Sequence, residues 1–78
     1  MVANRPLIVF DPSICHGKPT IRGTRVMVST LLELLESGMN VPDILRGFPS
    51  IDEKAIRAAI KYARLRIENE EFVSFAGH

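Results

Sequence analysis

A chain of 78 residues with a net charge of +1 and an apolar fraction of 46% has the composition of one small globular domain spanning 1–78, not of a disordered chain or a multidomain enzyme. Its one cysteine, Cys15, excludes an internal disulfide and a cysteine zinc cluster within a single chain. With no apolar h-region between Met1 and Pro6, and no apolar run near the roughly 20 residues that cross a bilayer, the expected location is the reducing cytoplasm. A domain this small buries roughly 60% of its unfolded surface, so its core is thin and dimerisation is a natural supplement.

The small net charge conceals an alternation. Met1 to Val28 carries Arg5, Lys18, Arg22 and Arg25 against Asp11, and Ser29 to Asp52 carries Glu33, Glu36, Asp43 and Asp52 against Arg46. Glu53 to Arg66 then holds Lys54, Arg57, Lys61, Arg64 and Arg66 against Glu53, and the tail holds Glu68, Glu70 and Glu71 without a cation. Segregation of this kind says more about partners than the net value does.

Residues 1–28 read as short strands and a Gly-rich turn. Leu7-Ile8-Val9-Phe10 is a brief apolar run, and Asp11-Pro12 marks a turn after it. Thr20-Ile21-Arg22 and Val26-Met27-Val28 read as two short strands with Gly23-Thr24-Arg25 as the bend between them.

Residues 29–70 read as three helices. Ser29 is the expected N-cap of the first, Leu31, Leu32, Leu34 and Leu35 its apolar face, and Gly38 its C′ residue. Asn40 caps the second, with Pro42 in the first turn and Asp43 where an acidic side chain suits exposed N–H groups; Gly47 and Pro49 close it. Asp52 caps a long third helix that runs to about Glu70. There Ile56, Ala59, Ile60, Ala63 and Ile67 are expected to face the core, with Lys54, Arg57, Lys61 and Arg64 in an acid-free row on the opposite side. The expected architecture is mostly α: a three-helix helix-turn-helix bundle with short N-terminal β-strands.

Short helices followed by a longer one with a cationic exposed face are the layout of a module that enters the major groove of DNA. Ile44, Leu45 and Phe48 would then pack on Ile56 and Ile60, with Phe48 to Ile51 as the turn. A basic stripe is equally compatible with a solvated helix face; the short preceding helix and the row favour nucleic acid. Gly17 to Arg25 offers two glycines and three cations (Lys18, Arg22, Arg25), a composition suited to an anion or the DNA backbone; it lacks the order of a Walker A loop, and its spacing fits a compact β-turn better.

Cys15-His16 is not expected to be a catalytic dyad, because neighbours on an extended segment point apart, and no enzyme activity is expected. Glu33 and Glu36 lie one turn apart with no histidine nearby and read as solvated carboxylates, so no metal site or cofactor is expected. The tail 71–78 holds Phe72, Val73 and Phe75 after an acidic cluster. These residues suit docking on a basic partner surface, or packing on the domain or a dimer mate.

The segment Ile14-Cys15-His16-Gly17-Lys18-Pro19-Thr20-Ile21-Arg22-Gly23-Thr24-Arg25-Val26 resembles the signature of the bacterial and archaeal family called domain of unknown function 433. Gly38, Ile44-Leu45, Phe48-Pro49 and Ala58 to Ala63 are similar to the rest of its pattern, so the resemblance covers about Val9 to Arg64. His16 departs from it, glycine being common there. The resemblance implies a helix-turn-helix-like fold and a VapB-type antitoxin acting beside a PIN-like ribonuclease toxin. It also implies a homodimer that binds its own operator and masks the toxin with its C-terminal part.

Together these expectations describe a DNA-binding antitoxin and autorepressor. Lys54, Arg57, Lys61 and Arg64 would face double-stranded DNA, Lys18, Arg22 and Arg25 would form a second, backbone-directed patch, and Phe72, Val73 and Phe75 would contact the toxin. The alternative is a protein-interaction module without DNA binding, and a third possibility is a nucleotide binder using Gly17 to Arg25.

Overall fold

A computed structural model describes residues 5–69. The elements in chain order are β1 (Ile8–Val9), a three-residue turn of helix (Cys15–Gly17), β2 (Thr20–Ile21), α1 (Val28–Glu36), α2 (Val41–Gly47) and α3 (Glu53–Asn69). The molecule is mostly helical: three helices with a small two-stranded antiparallel sheet at the N-terminal side.

In the sheet Ile8 pairs with Ile21 and Val9 with Thr20. The Arg22 N–H donates to the Leu7 carbonyl at 2.7 Å and extends the pairing by one residue. On the other side of β2 the Ile21 N–H donates to the Val26 carbonyl at 2.9 Å, and Thr20 forms a single bridge with Met27. Thr24 closes the intervening bend: its hydroxyl donates to the Ile21 carbonyl at 2.8 Å and accepts the Val26 N–H at 2.9 Å. Gly23 sits at φ +80°, a conformation glycine adopts without steric cost.

The expected strand Val26-Met27-Val28 does not form. Met27 makes only the bridge, and Val28 is already the first residue of α1. For the same reason Ser29 is not the N-cap; Met27 holds that position and makes no side-chain cap bond. The hairpin replaces the missing cap, because the Val28 N–H donates to the Pro19 carbonyl at 3.0 Å. Burying the Val28 side chain in the core fixes this early start.

Glycine-terminated α1 closes as expected. Gly38, at φ +96°, donates its N–H to the Leu35 carbonyl at 3.0 Å, and Met39 donates to the Leu34 carbonyl at 3.2 Å. These two bonds are a Schellman motif, which satisfies carbonyls left open at the helix end. The next residue, Asn40, caps α2 by accepting the Asp43 N–H at 3.0 Å. Asp52 caps α3 by accepting the Ala55 N–H at 3.2 Å.

The core is one cluster: Ile21 from β2, Val28 and Leu31 from α1, Ile44 from α2, and Ala55, Ile56 and Ala59 from α3. Ile8, Leu45, Phe48, Ile51 and Tyr62 pack against it from the edges. The inward face of α3 is centred on Ala59, not between Ile56 and Ile60. Ile60 is 47% exposed and Ile67 70% exposed, so neither lies in the core as its spacing predicts. Two causes are visible. Ala55, Ile56 and Ala59 take the inward positions, which leaves Ile60 at their edge, and Tyr62 packs beside them on Phe10 with ring centroids 5.9 Å apart at 54°. Beyond Ala63, α3 outruns the rest of the bundle, and every residue from Arg64 to Asn69 is exposed.

Cys15 and His16 do not lie on an extended segment. Cys15 (φ 51°), His16 (φ 59°) and Gly17 (φ 80°) form one left-handed turn, closed by the Gly17 N–H on the Ile14 carbonyl at 3.0 Å and the Lys18 N–H on the Cys15 carbonyl at 3.1 Å. Left-handed geometry costs an ordinary residue about 1–2 kcal/mol. It explains why glycine suits the position of His16.

Candidate nucleic-acid interface

α2, a five-residue connection and α3 are arranged as a helix, turn and longer helix. The connection is stiffened by the Ile51 N–H donating to the Phe48 carbonyl at 3.1 Å, and Ile44 and Ile56 lock the two helices at the core. Leu45 and Phe48 support this contact from α2, whereas Ile60 stands outside it.

Lys54, Arg57, Lys61 and Arg64 are all exposed on α3, on the side away from Ala59. The row is not free of acid, contrary to the expectation from spacing. Arg57 pairs with Glu53 at 3.2 Å and Arg64 with Glu68 at 2.9 Å, each across one helical turn. Exposed pairs of this kind contribute about 0.3–0.5 kcal/mol. They hold the two guanidinium groups along the helix and yield readily to a stronger anion. Lys54 and Lys61 have no ion-pair partner among the described residues.

The three N-terminal cations do not form one patch. Arg22 is half-buried, and its guanidinium donates to the Pro6 carbonyl, tying the entering chain to the hairpin bend. It borders a cleft with Pro49, Ser50 and Asp52 at the start of α3, and Arg25 borders another with Ser50. These two therefore flank the beginning of α3. Lys18 instead lies at the far end, sharing a cleft with Arg66. Phe72, Val73 and Phe75, the expected toxin contacts, lie outside the described residues.

Two cations emerge that spacing did not single out. Arg5 joins Lys61 at the border of a cleft of about 450 Å³ lined by Pro6, Leu7, Tyr62 and Leu65. Arg66 falls on the wheel away from the row, and only its place beside Lys18 gives it a surface to serve. The Cys15 thiol donates to the Arg25 carbonyl at 3.6 Å, which places it under the hairpin bend. Among the described residues no group of three histidine, cysteine or acidic side chains is placed to hold a metal ion, and no helix is long and apolar enough to cross a membrane.

Comparison with known proteins bears on the fold and the family. The family described as "Protein of unknown function (DUF433)" matches over residues 8–63, from β1 to the core-facing half of α3. The chain belongs to this family. Among curated relatives, the "Uncharacterized protein y4eO" of Sinorhizobium fredii (strain NBRC 101917 / NGR234) is 36% identical over 63 residues, which is 81% of this chain and 28% of that protein. A solved structure described as a DUF433 member protein from Anabaena variabilis ATCC 29413 superposes with a TM-score of 0.75 at 28% identity, covering 82% of this chain and 63% of that one. The chain thus spans little more than a quarter of the curated relative and less than two thirds of the solved one. The DUF433 match ends at Ala63, where α3 leaves the core and the exposed end begins.

Proposed function

We propose that this DUF433 chain is a DNA-binding autorepressor and the antitoxin of a type II toxin–antitoxin pair with a PIN-like ribonuclease toxin. The observation that carries the DNA reading is the exposed row Lys54, Arg57, Lys61 and Arg64 on a 17-residue helix locked behind α2 by Ile44 and Ile56. A helix so held keeps its register while it enters a major groove, and long cationic side chains on its outer face reach phosphates and base edges. Arg22 and Arg25 flank the start of α3, from where cations would meet the phosphates beside a recognition helix. The antitoxin role rests on what the DUF433 resemblance implies and on the acidic, aromatic sequence of the tail.

The test is fluorescence anisotropy on the duplex upstream of the chain's own gene, against scrambled DNA, at two salt concentrations. Preferential binding that falls steeply with salt supports a sequence-reading repressor. Equal or absent binding, with and without the neighbouring toxin, overturns the DNA reading. The second reading, a protein-interaction module, is favoured by the Glu53–Arg57 and Arg64–Glu68 pairs, which neutralise half of the row, and by the exposed Ile60 and Ile67.

A further inference from the structure

We infer that the cleft between the start of α1 and the end of α3 is the surface through which two copies of this chain associate about a two-fold axis. The cleft has a volume of about 400 Å³ and is walled by Pro19, Val28, Leu32, Tyr62, Ala63 and Ile67. Beside it α3 continues as a helix end with no cover among the described residues, all residues from Arg64 to Asn69 being exposed. A short exposed helical end gains little from propensity alone, so packing of an apolar side chain such as Ile67, 70% exposed, is what would hold it. Ile67 is therefore both a projecting apolar side chain and a wall of the hole beside it.

Charge identifies the occupant. One border of the cleft carries Lys18 and Arg66, neither with an ion-pair partner among the described residues. On the α1 wall, Glu33 and Glu36 follow Ser29 and Leu32 by one helical turn and are exposed. The patch is thus basic at one border and acidic at the other. A two-fold axis sets each basic border on the partner's acidic one and each Ile67 into the partner's cleft, so the surface is its own complement. The cationic row lies on the other side of α3 and stays free, so this association stands whether or not that row meets DNA.

Sedimentation velocity of the full chain without DNA, over about a hundredfold range of concentration, tests the inference. The wild-type chain should pass from monomer to dimer within that range. Ile67→Glu, at an exposed position that leaves the fold intact by circular dichroism, should raise the dissociation constant by about 100-fold, because it buries an unpaired carboxylate in an apolar cleft. Arg66→Glu should weaken the dimer, and adding Glu33→Arg and Glu36→Arg should restore it. A chain that stays monomeric throughout, a dimer indifferent to Ile67→Glu, or a charge swap without rescue would each overturn the assignment. The first of these leaves the cleft to another protein or to the chain's own tail.

Discussion

The Pro19 carbonyl accepts the Val28 N–H at 3.0 Å, so the chain segment before the hairpin bend caps the helix that follows it. That bond joins the Gly-rich segment to the three-helix bundle, both of which lie within the DUF433 match. The segment is structural before it is anything else: Thr24 closes the bend, Arg22 ties in Pro6, and Ile21 enters the core.

Thr20 should tolerate, and gain from, loss of its hydroxyl. The residue is fully buried, and its Oγ1 has no hydrogen-bond partner among the described residues. An unsatisfied buried polar group costs about 1–3 kcal/mol. Thr20→Val, which keeps the branched shape β2 prefers, should raise the urea midpoint by the equivalent of about 1 kcal/mol. A lowered midpoint would mean that an ordered water satisfies the hydroxyl.

Ile56 and Ile60 separate the two ways of placing α3 against the bundle. Ile56→Ala removes a fully buried side chain and should cost about 2–4 kcal/mol, enough to unfold much of a domain this small. Ile60→Ala should cost less than about 1 kcal/mol. Equal losses in denaturant unfolding would return Ile60 to the core.

The left-handed turn predicts opposite signs at neighbouring residues. His16→Gly relieves a side chain at φ 59° and should stabilise by about 0.5–1 kcal/mol. Gly17→Ala, at φ 80° with the Pro12 Cα 3.7 Å from the added methyl, should destabilise by about 1 kcal/mol. Thermal melts of the two variants would check both.

On DNA, the members of the cationic row should differ. Lys61→Gln removes an unpaired cation and should reduce the salt slope of binding by about one. Glu53→Gln releases Arg57 and should tighten binding, while Arg57→Glu with Lys61→Glu should abolish it without unfolding the chain. Anisotropy across a salt series measures all three.

Asp11 should titrate below the usual carboxylate range. The Ser13 hydroxyl donates to its Oδ1 at 2.7 Å and the Ser13 N–H at 2.9 Å, and both bonds favour the charged form. Because the folded value is depressed, this group's stabilisation is present above the unfolded pKa and lost as pH falls through the folded one. Ser13→Ala should move the Asp11 carboxyl resonance to a higher titration midpoint; an unchanged midpoint would remove the serine hydroxyl as the cause.

Local chemistry was legible wherever one residue decided the outcome. Gly38, Asn40 and Asp52 close or open their helices as their side chains demand, and the DUF433 signature was readable in Gly17 to Arg25. Long-range choices were not. Nothing near Ser29 announces that Pro19 will cap α1, and nothing near Ile60 announces that Ala55 takes the buried place on α3 that Ile60 was expected to hold. The cationic row was visible as a row, but its acidic partners were not: Glu53 lies just outside the quarter-turn that defined it, and Glu68 lies within that quarter-turn but one helical turn beyond its last cation, Arg64.

The junction of α1 and α2 has one further consequence. Gly38 and Met39 complete the cap of α1, and Asn40 begins the cap of α2, so no residue between the helices is uncommitted. The two helices therefore turn as a rigid corner. Length variation among relatives should be absent between Gly38 and Asn40.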